Sequence, residues 1–182
     1  MRNFLQHVDR SLPFKRQLWM IPIILAIHNA EEALTMPRWV MANLAAVRGA
    51  IPFGIDIQFS PAQLRASLLV ATVVPFIVTL LCARGEKKSK RVYLLLLLQA
   101  IVLLNVFIPH LSWTIRNLQY NPGLLTALFL NLPFSFFFFR TGYREGYIDA
   151  RGLPWLFLLA AVLYPVVAWL LHSCGEIIAG VL

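Results

Sequence analysis

Residues 92–111, VYLLLLLQAIVLLNVFIPHL, decide the fold class of this chain. The stretch contains no aspartate, glutamate, lysine or arginine, and a helix needs about 20 mostly apolar residues to cross a bilayer. It therefore predicts a transmembrane helix. The rest of the chain has the same character, because 59% of its 182 residues are hydrophobic and its mean hydropathy is +0.72. That composition is too apolar for an ordinary soluble domain.

Four other segments are also long and apolar enough to cross a membrane, so the sequence predicts one all-α transmembrane domain over residues 1–182. The expected architecture is an integral membrane bundle of five transmembrane helices, with a short amphipathic interfacial helix between spans one and two. That interfacial helix covers residues 38–51, where Val40, Leu44 and Val47 recur at helical spacing. The expected spans are residues 17–36, 61–83, 92–111, 122–139 and 153–178.

Prolines and small polar residues mark the expected ends of these spans. Pro37 is expected to end the first span, because proline lacks an N–H and its ring clashes with the preceding turn. Ser60 and Gln63 have the spacing of a capping box, and Pro61 suits the first position of the second span. Asn121 is expected to cap the fourth span.

The basic residues predict the orientation of the bundle. The net charge is +8 at pH 7, and most lysines and arginines fall in the N-terminal tail and in the loops 84–91 and 140–152. Cytoplasmic loops are enriched in Lys and Arg, so the N-terminus is expected in the cytoplasm and the C-terminus outside. The charge indicates contact with anionic headgroups, and nucleic acid is not an expected partner because no recognition motif occurs.

Three histidines and three glutamates interrupt the apolar spans. A charged side chain at the centre of a bilayer costs roughly 2.5–3.5 kcal/mol on insertion scales unless it finds a partner or water. All six fall in the outer half of the expected bundle, whereas the inner half is apolar apart from Gln99. We therefore expect one shared polar site, formed by His28, Glu31 and Glu32 of span one, His110 of span three, and His172 and Glu176 of span five.

The residue types predict a metal site. Imidazole and carboxylate groups are ligands for zinc, iron and manganese. His28 and Glu32 lie four residues apart on one helix face, as do His172 and Glu176. Asn105 and His110 lie about 140° apart on an ideal helix, so only distortion at the Pro109 kink could bring both to one centre. The predicted ligands are His28, Glu32, His110, His172 and Glu176.

The leading functional prediction is an intramembrane enzyme that acts on a lipid or another apolar substrate. A divalent metal held by the predicted ligands would activate water or polarise a carbonyl or phosphoryl oxygen for hydrolysis or acyl transfer. Glu31 would be free as general base, and His28 and Glu32 are expected to be catalytic with it. The substrate would contact the polar groups that share the outer half. These predicted substrate-binding residues are Arg65, Asn105 and Asn131.

Three other interpretations stay open. A buried glutamate and histidine could move a proton without any metal, as in an isomerase or cyclase for a hydrophobic substrate. Intramembrane His and Glu residues also mark ion pathways, so a transporter or binding protein for protons or metal ions is possible, and a homo-oligomer could complete its path. Finally, the cluster could only stabilise a structural membrane protein.

The segment His28-Asn29-Ala30-Glu31-Glu32 resembles the signature of a family of small prokaryotic membrane proteins named for its HXXEE motif. The motif lies in the first span, and the chain's size and five-span layout extend the resemblance over its whole length. The sequence Asn121-Pro122-Gly123 adds to the match. The resemblance implies that the motif residues are functional and that the protein lies in a prokaryotic plasma membrane. It implies no activity.

Overall fold

The computed structural model describes residues 12–49 and 59–181, and every regular element within them is helical. One π-helical insertion, Val106–Leu111, lies in the long helix Lys90–Asn117, and another, Ala127–Asn131, lies in the long helix Leu124–Arg144. The helices in chain order are α1 (Phe14–Ala42), α2 (Leu44–Gly49), α3 (Pro61–Cys82), α4 (Lys90–Asn117), α5 (Leu124–Arg144) and α6 (Gly152–Val181).

Four helices, α3 to α6, are long and apolar enough to cross a membrane. Helix α1 has 29 residues, and at 1.5 Å per residue that length exceeds a hydrocarbon core of about 30 Å. Its composition is less apolar, because it contains the HXXEE motif and charged residues near both ends. The fold therefore contains four candidate spans and a fifth long helix, α1, which packs mainly along α3.

Pro37 does not end the first helix. Helix α1 continues through it to Ala42 and breaks at Asn43, whose backbone N–H donates to the carbonyl of Trp39. The proline removes one backbone hydrogen bond of α1, and tertiary packing around the buried Pro37 outweighs that loss. The expected interfacial helix is accordingly shorter, since only Leu44–Gly49 forms a separate element. Residues 50 and 51 of that prediction lie outside the described ranges.

Helix α3 begins as the sequence predicts, but α5 does not. Ser60 and Gln63 form the capping box, with the Ser60 hydroxyl accepting from the Gln63 N–H. Helix α5 begins at Leu124, after Gly123 in a left-handed conformation with φ +82°. Asn121 does not cap it. Its side chain donates instead to the carbonyls of Pro109 and His110 in the π-helical part of α4.

The apolar core lies at the end of the bundle where α1 begins. Phe14 packs against Phe138 of α5, with ring centroids 4.8 Å apart. Leu18 and Leu96 are also buried in this core, and α6 contributes Leu156. Because His28, Glu31 and Glu32 lie further along the helix, this core anchors one end of α1 and leaves its HXXEE segment near the other.

This end of the bundle, which the sequence assigns to the inner half of the membrane, is more polar than the sequence predicts. Besides Gln99, it buries Gln17, Thr79, Ser135 and Thr141. Gln99 donates to the Ser135 hydroxyl at 2.7 Å. The Gln17 side-chain oxygen and the hydroxyls of Thr79 and Thr141 have no hydrogen-bond partner. Thr79 and Ser135 are single polar side chains within apolar runs, and Gln17 and Thr141 lie next to charged residues at helix ends, so sequence patterns did not indicate their burial.

Candidate functional site

Three of the predicted ligand residues meet at one buried point between α1 and α4. Glu32 Oε1 lies 3.8 Å from His28 Nε2 and 3.6 Å from His110 Nε2. One ligand atom from each residue can be chosen so that all three lie within 4.8 Å of one another. The exposed fractions are 1% for His28, 6% for Glu32 and 2% for His110. These three residues could hold a metal ion.

Helix geometry explains how the three side chains converge. His28 and Glu32 are four residues apart in α1 and share one face. His110 comes from the π-helical segment Val106–Leu111, whose wider turn adds a residue to the repeat. Asn105 and His110, five positions apart, therefore share a face, and Asn105 Nδ2 lies 3.0 Å from His110 Nε2. The distortion at Pro109 that the sequence required is this π-helical segment.

A hydrogen-bonded chain orients the His28 ring. The Thr126 hydroxyl donates to Glu31 Oε2 at 2.7 Å, so it can only accept from His28 Nδ1, which lies 2.8 Å away. This places the ring proton on Nδ1 and leaves the lone pair on Nε2, which faces Glu32. Carboxylate partners behind a histidine orient metal-binding histidines in the same manner.

A second chain orients the His110 ring. Asn121 Nδ2 donates to the carbonyls of Pro109 and His110, both at 3.0 Å, so its Oδ1 is the acceptor 3.2 Å from His110 Nδ1. The His110 ring proton therefore lies on Nδ1, and its Nε2 lone pair faces the centre. Both imidazoles present the same unprotonated nitrogen to the same carboxylate.

Asn105 supplies the polar donor closest to this centre. Its Oδ1 accepts from the Tyr164 hydroxyl of α6 at 3.0 Å, which turns Nδ2 towards the histidines. Nδ2 lies 3.0 Å from His110 Nε2 and 3.5 Å from His28 Nε2. Two nitrogen lone pairs and a carboxylate oxygen thus face one another with a single amide group beside them. Ligands of a tetrahedral zinc ion lie about 3.4 Å apart, close to the 3.8 and 3.6 Å that separate Glu32 Oε1 from the Nε2 atoms of His28 and His110.

Glu31 is engaged on both of its oxygens. Oε2 accepts from the N–H and the hydroxyl of Thr126, at 2.9 and 2.7 Å, and Oε1 accepts from the Tyr120 hydroxyl at 2.6 Å. Burial and this bond raise the pKa of Tyr120, in the loop between α4 and α5, to about 12. The phenol therefore stays a donor to Glu31. This geometry does not leave Glu31 the free side chain that the sequence suggested for a general base.

Gly123 closes the site from the α4–α5 loop. A Cβ atom at this position would lie 2.7 Å from His110 Cε1, 2.8 Å from His28 Cε1 and 2.9 Å from Glu32 Cγ. Its φ of +82° also disfavours any side chain. Glycine is therefore required here both by backbone conformation and by contact with all three residues of the cluster.

The structure does not bring His172 and Glu176 to this cluster, which corrects the five-residue ligand set. His172 Nδ1 lies 2.6 Å from Gln63 Nε2 of α3, and its ring packs edge-on to Phe59. Glu176 is exposed. The only His/Cys/Asp/Glu group of metal-binding geometry within residues 12–49 and 59–181 is His28, Glu32 and His110.

The predicted substrate-binding residues lie in three different settings. Asn105 touches the cluster. Arg65 is exposed and lines a surface depression beside α1. Asn131 is 1% exposed, and neither its amide nitrogen nor its amide oxygen has a hydrogen-bond partner. Sequence patterns do not indicate that Thr126, Tyr120 and Tyr164 contribute to the site. These residues lack a periodic signal, although the Asn-Pro-Gly turn does lie next to the site.

Together these features define the class, an all-helical protein with four helices able to cross a membrane and a buried His–Glu–His cluster. Residues 19–138 match the family model described as protein of unknown function with HXXEE motif. Since the match covers well over half of the chain, the chain belongs to that family. No curated protein and no solved structure matches it.

Proposed function

We propose that His28, Glu32 and His110 bind a divalent transition metal, zinc, iron or manganese, in an intramembrane enzyme that acts on a lipid or another apolar substrate. One observation carries the proposal. Two imidazole lone pairs and a carboxylate oxygen face one another in a buried site, with their outward nitrogens held by Thr126 and Asn121. Three converging acceptors repel one another unless a cation lies between them.

The reaction class that we propose is hydrolysis or acyl transfer. A metal with two nitrogen ligands and one carboxylate retains open positions, at which it can polarise a carbonyl or phosphoryl oxygen or activate water. Asn105 Nδ2 faces the same space and can donate to a bound oxygen. Glu31 then acts as a positioning residue rather than the general base, because it holds Thr126, which orients His28.

The metal content of detergent-purified, chelator-free protein tests the centre directly by plasma mass spectrometry. We expect stoichiometric metal in the wild type and its loss in His28→Ala and Glu32→Ala. The matched control is His172→Ala, which removes a histidine outside the cluster and should retain the metal. Absence of metal from the wild type, or equal loss in the control, would contradict the metal proposal.

Turnover tests the enzyme proposal separately. We expect wild-type protein in liposomes of total polar lipid to convert at least one lipid species, detected by liquid chromatography and mass spectrometry. Glu32→Gln should abolish that conversion while the protein remains folded. Conversion at an undiminished rate by Glu32→Gln would rule out a catalytic cluster.

A metal-free acid–base enzyme, such as an isomerase or cyclase for a hydrophobic substrate, is a second candidate. One contact favours it, because Asn105 Nδ2 already occupies the His110 lone pair at 3.0 Å. A proton shared between Glu32 and one imidazole would then replace the metal. Retained turnover in metal-free wild type, together with loss in Glu32→Gln, would favour this candidate.

A proton- or metal-ion-coupled transporter is a third candidate. The buried polar residues of the inner half favour it, since Gln99 and Ser135 form a hydrogen-bonded pair and the hydroxyls of Thr79 and Thr141 have no partner. Such groups mark hydrated paths in transporters. Uptake of protons or labelled metal into proteoliposomes, lost in Glu32→Gln, would support transport over catalysis.

We also propose that α1 crosses the membrane as a fifth span, with the N-terminus in the cytoplasm of a prokaryotic cell. Its length and its packing along α3 support this, and the basic residues of the tail and the loops 84–91 and 140–152 set the orientation. Labelling of single cysteines placed at Asn43 and Glu86 should differ between intact cells and inverted vesicles. Labelling of both from the same side would contradict this topology.

A further inference from the structure

A depression on the surface lies between α1 and the beginning of α3. Its lining consists of Ala33, Leu34 and Pro37 from α1, together with the guanidinium-bearing residues Arg38 and Arg65. The lining therefore combines three apolar residues of α1 with two positively charged arginines. Among residues 12–49 and 59–181, no acidic side chain contributes to its lining.

The acidic groups closest in sequence are committed elsewhere. Glu31 accepts hydrogen bonds from Tyr120 and Thr126, and Glu32 faces the two histidines. The ion pairs of the described ranges include neither Arg38 nor Arg65. Two guanidinium groups from different helices thus line one depression without a counter-charge from these residues, which is an arrangement that favours an anionic ligand.

Aromatic residues close to Arg38 favour a position of this depression at the edge of the membrane. Trp39, next to Arg38, packs edge-on against Trp113 of α4, with ring centroids 5.0 Å apart, and its Nε1 donates to the Tyr120 carbonyl. Tryptophan and tyrosine concentrate at the level of lipid headgroups. Leu34, about one helical turn before Arg38 in α1, is 81% exposed. Such a leucine suits contact with acyl chains.

We propose that this depression binds the headgroup of an anionic phospholipid, with the phosphate between Arg38 and Arg65 and an acyl chain along Leu34. The assignment rests on the proposed function and names its substrate class. Ala33 directly follows Glu32, so a headgroup bound here lies beside the helical turn that carries the candidate centre. A lipid-linked phosphate fits better than a free one, because three of the five lining residues are apolar.

Lipid retention tests the proposal. Wild-type protein is exchanged into nanodiscs of phosphatidylcholine containing a minority of phosphatidylglycerol, re-extracted with mild detergent and analysed by native mass spectrometry. We expect the wild type to retain phosphatidylglycerol preferentially, and the Arg38→Gln/Arg65→Gln double variant to lose at least about three-quarters of it, as expected when both phosphate contacts are removed. Excess inorganic phosphate should not displace the lipid.

The control is Arg116→Gln, which removes an exposed arginine at the end of α4 but outside the depression. It should retain phosphatidylglycerol as the wild type does. Equal loss in Arg116→Gln would show general attraction between charges, and equal retention of phosphatidylcholine would show lack of headgroup selection. Either result would overturn the proposal.

Two further measurements separate this inference from the proposed metal centre. Metal content should be unchanged in the Arg38→Gln/Arg65→Gln variant, and phosphatidylglycerol retention should be unchanged in Glu32→Ala. A failure of the lipid site therefore alters only phosphatidylglycerol retention, and a failure of the metal centre alters only metal content.

Discussion

Helices α1 and α6 carry the same pair of residues at the same spacing, and the fold uses them differently. His28 and Glu32 of α1 are buried and meet His110, whereas His172 of α6 hydrogen-bonds to Gln63 and Glu176 is exposed. An i, i+4 spacing places two side chains on one face of a helix. The neighbouring helices decide whether that face meets further ligands.

The difference follows from where each helix packs. Helix α1 buries residues along its length, including Gln17, His28 and Glu32, and it contacts α3, α4 and α5. Helix α6 buries only Leu156, Ala160 and Gly175. A polar pair on α6 therefore lies near the surface of the protein. The pair on α1 needs polar partners inside the protein, because unpaired buried polar groups are costly.

The largest effect is expected at Gly123. Gly123→Ala combines a strained left-handed backbone, costing roughly 1–2 kcal/mol, with a Cβ within 3 Å of all three cluster residues. We expect loss of metal and a marked fall in thermal stability. Gly146→Ala is the matched control, because Gly146 has a similar φ of +76° and nothing within 4 Å. Equal effects of both substitutions on stability and metal content would show that only backbone strain matters at Gly123.

A direct comparison of the two helices comes from their glutamates. Glu32→Gln should lower metal affinity by more than the roughly 10–100-fold that loss of an outer partner costs, since it removes a ligand charge. Glu176→Gln removes an exposed carboxylate and should leave affinity unchanged. Competition with a chelator of known affinity measures both. Similar losses in the two variants would mean that the helices are equivalent after all.

A smaller effect is expected from the chain that orients His28. Thr126→Val removes the hydroxyl between Glu31 and His28, and we expect metal affinity to fall by about 10–100-fold. Thr126→Ser keeps the hydroxyl and should behave as the wild type. If valine and serine gave the same affinity, the hydrogen bond would have no role in orienting the ring.

The smallest effect is expected at Asn131, whose buried side-chain amide has no hydrogen-bond partner. Asn131→Leu should change the free energy of unfolding by less than about 1 kcal/mol, or stabilise the protein, because no hydrogen bond is lost. Thermal unfolding in detergent measures this. A destabilisation of several kcal/mol would instead reveal a buried water or bound ligand on the amide, and lost turnover would support its predicted contact with substrate.

Several features of the fold follow from local sequence. The apolar runs of α3 to α6, and the capping box at Ser60 and Gln63, act within one helix and could be recognised directly. Two local interpretations were wrong for a shared reason. Helix α1 continues through Pro37, and the Asn121 side chain hydrogen-bonds to α4 instead of capping α5. In both places tertiary contacts outweigh the local preference.

The candidate site divides in the same way. The HXXEE motif and the depth of His110 could be recognised in the sequence, because intramembrane charge is costly wherever the helix lies. Whether the histidines of α4 and α6 meet His28 depends on helix rotation. The π-helical segment of α4 orients His110 towards His28, whereas His172 of α6 contacts Gln63 of α3. Pro109 gives the rotation of His110 a local signature, whereas the rotation of α6 has none, because it depends on contacts between residues far apart in the chain.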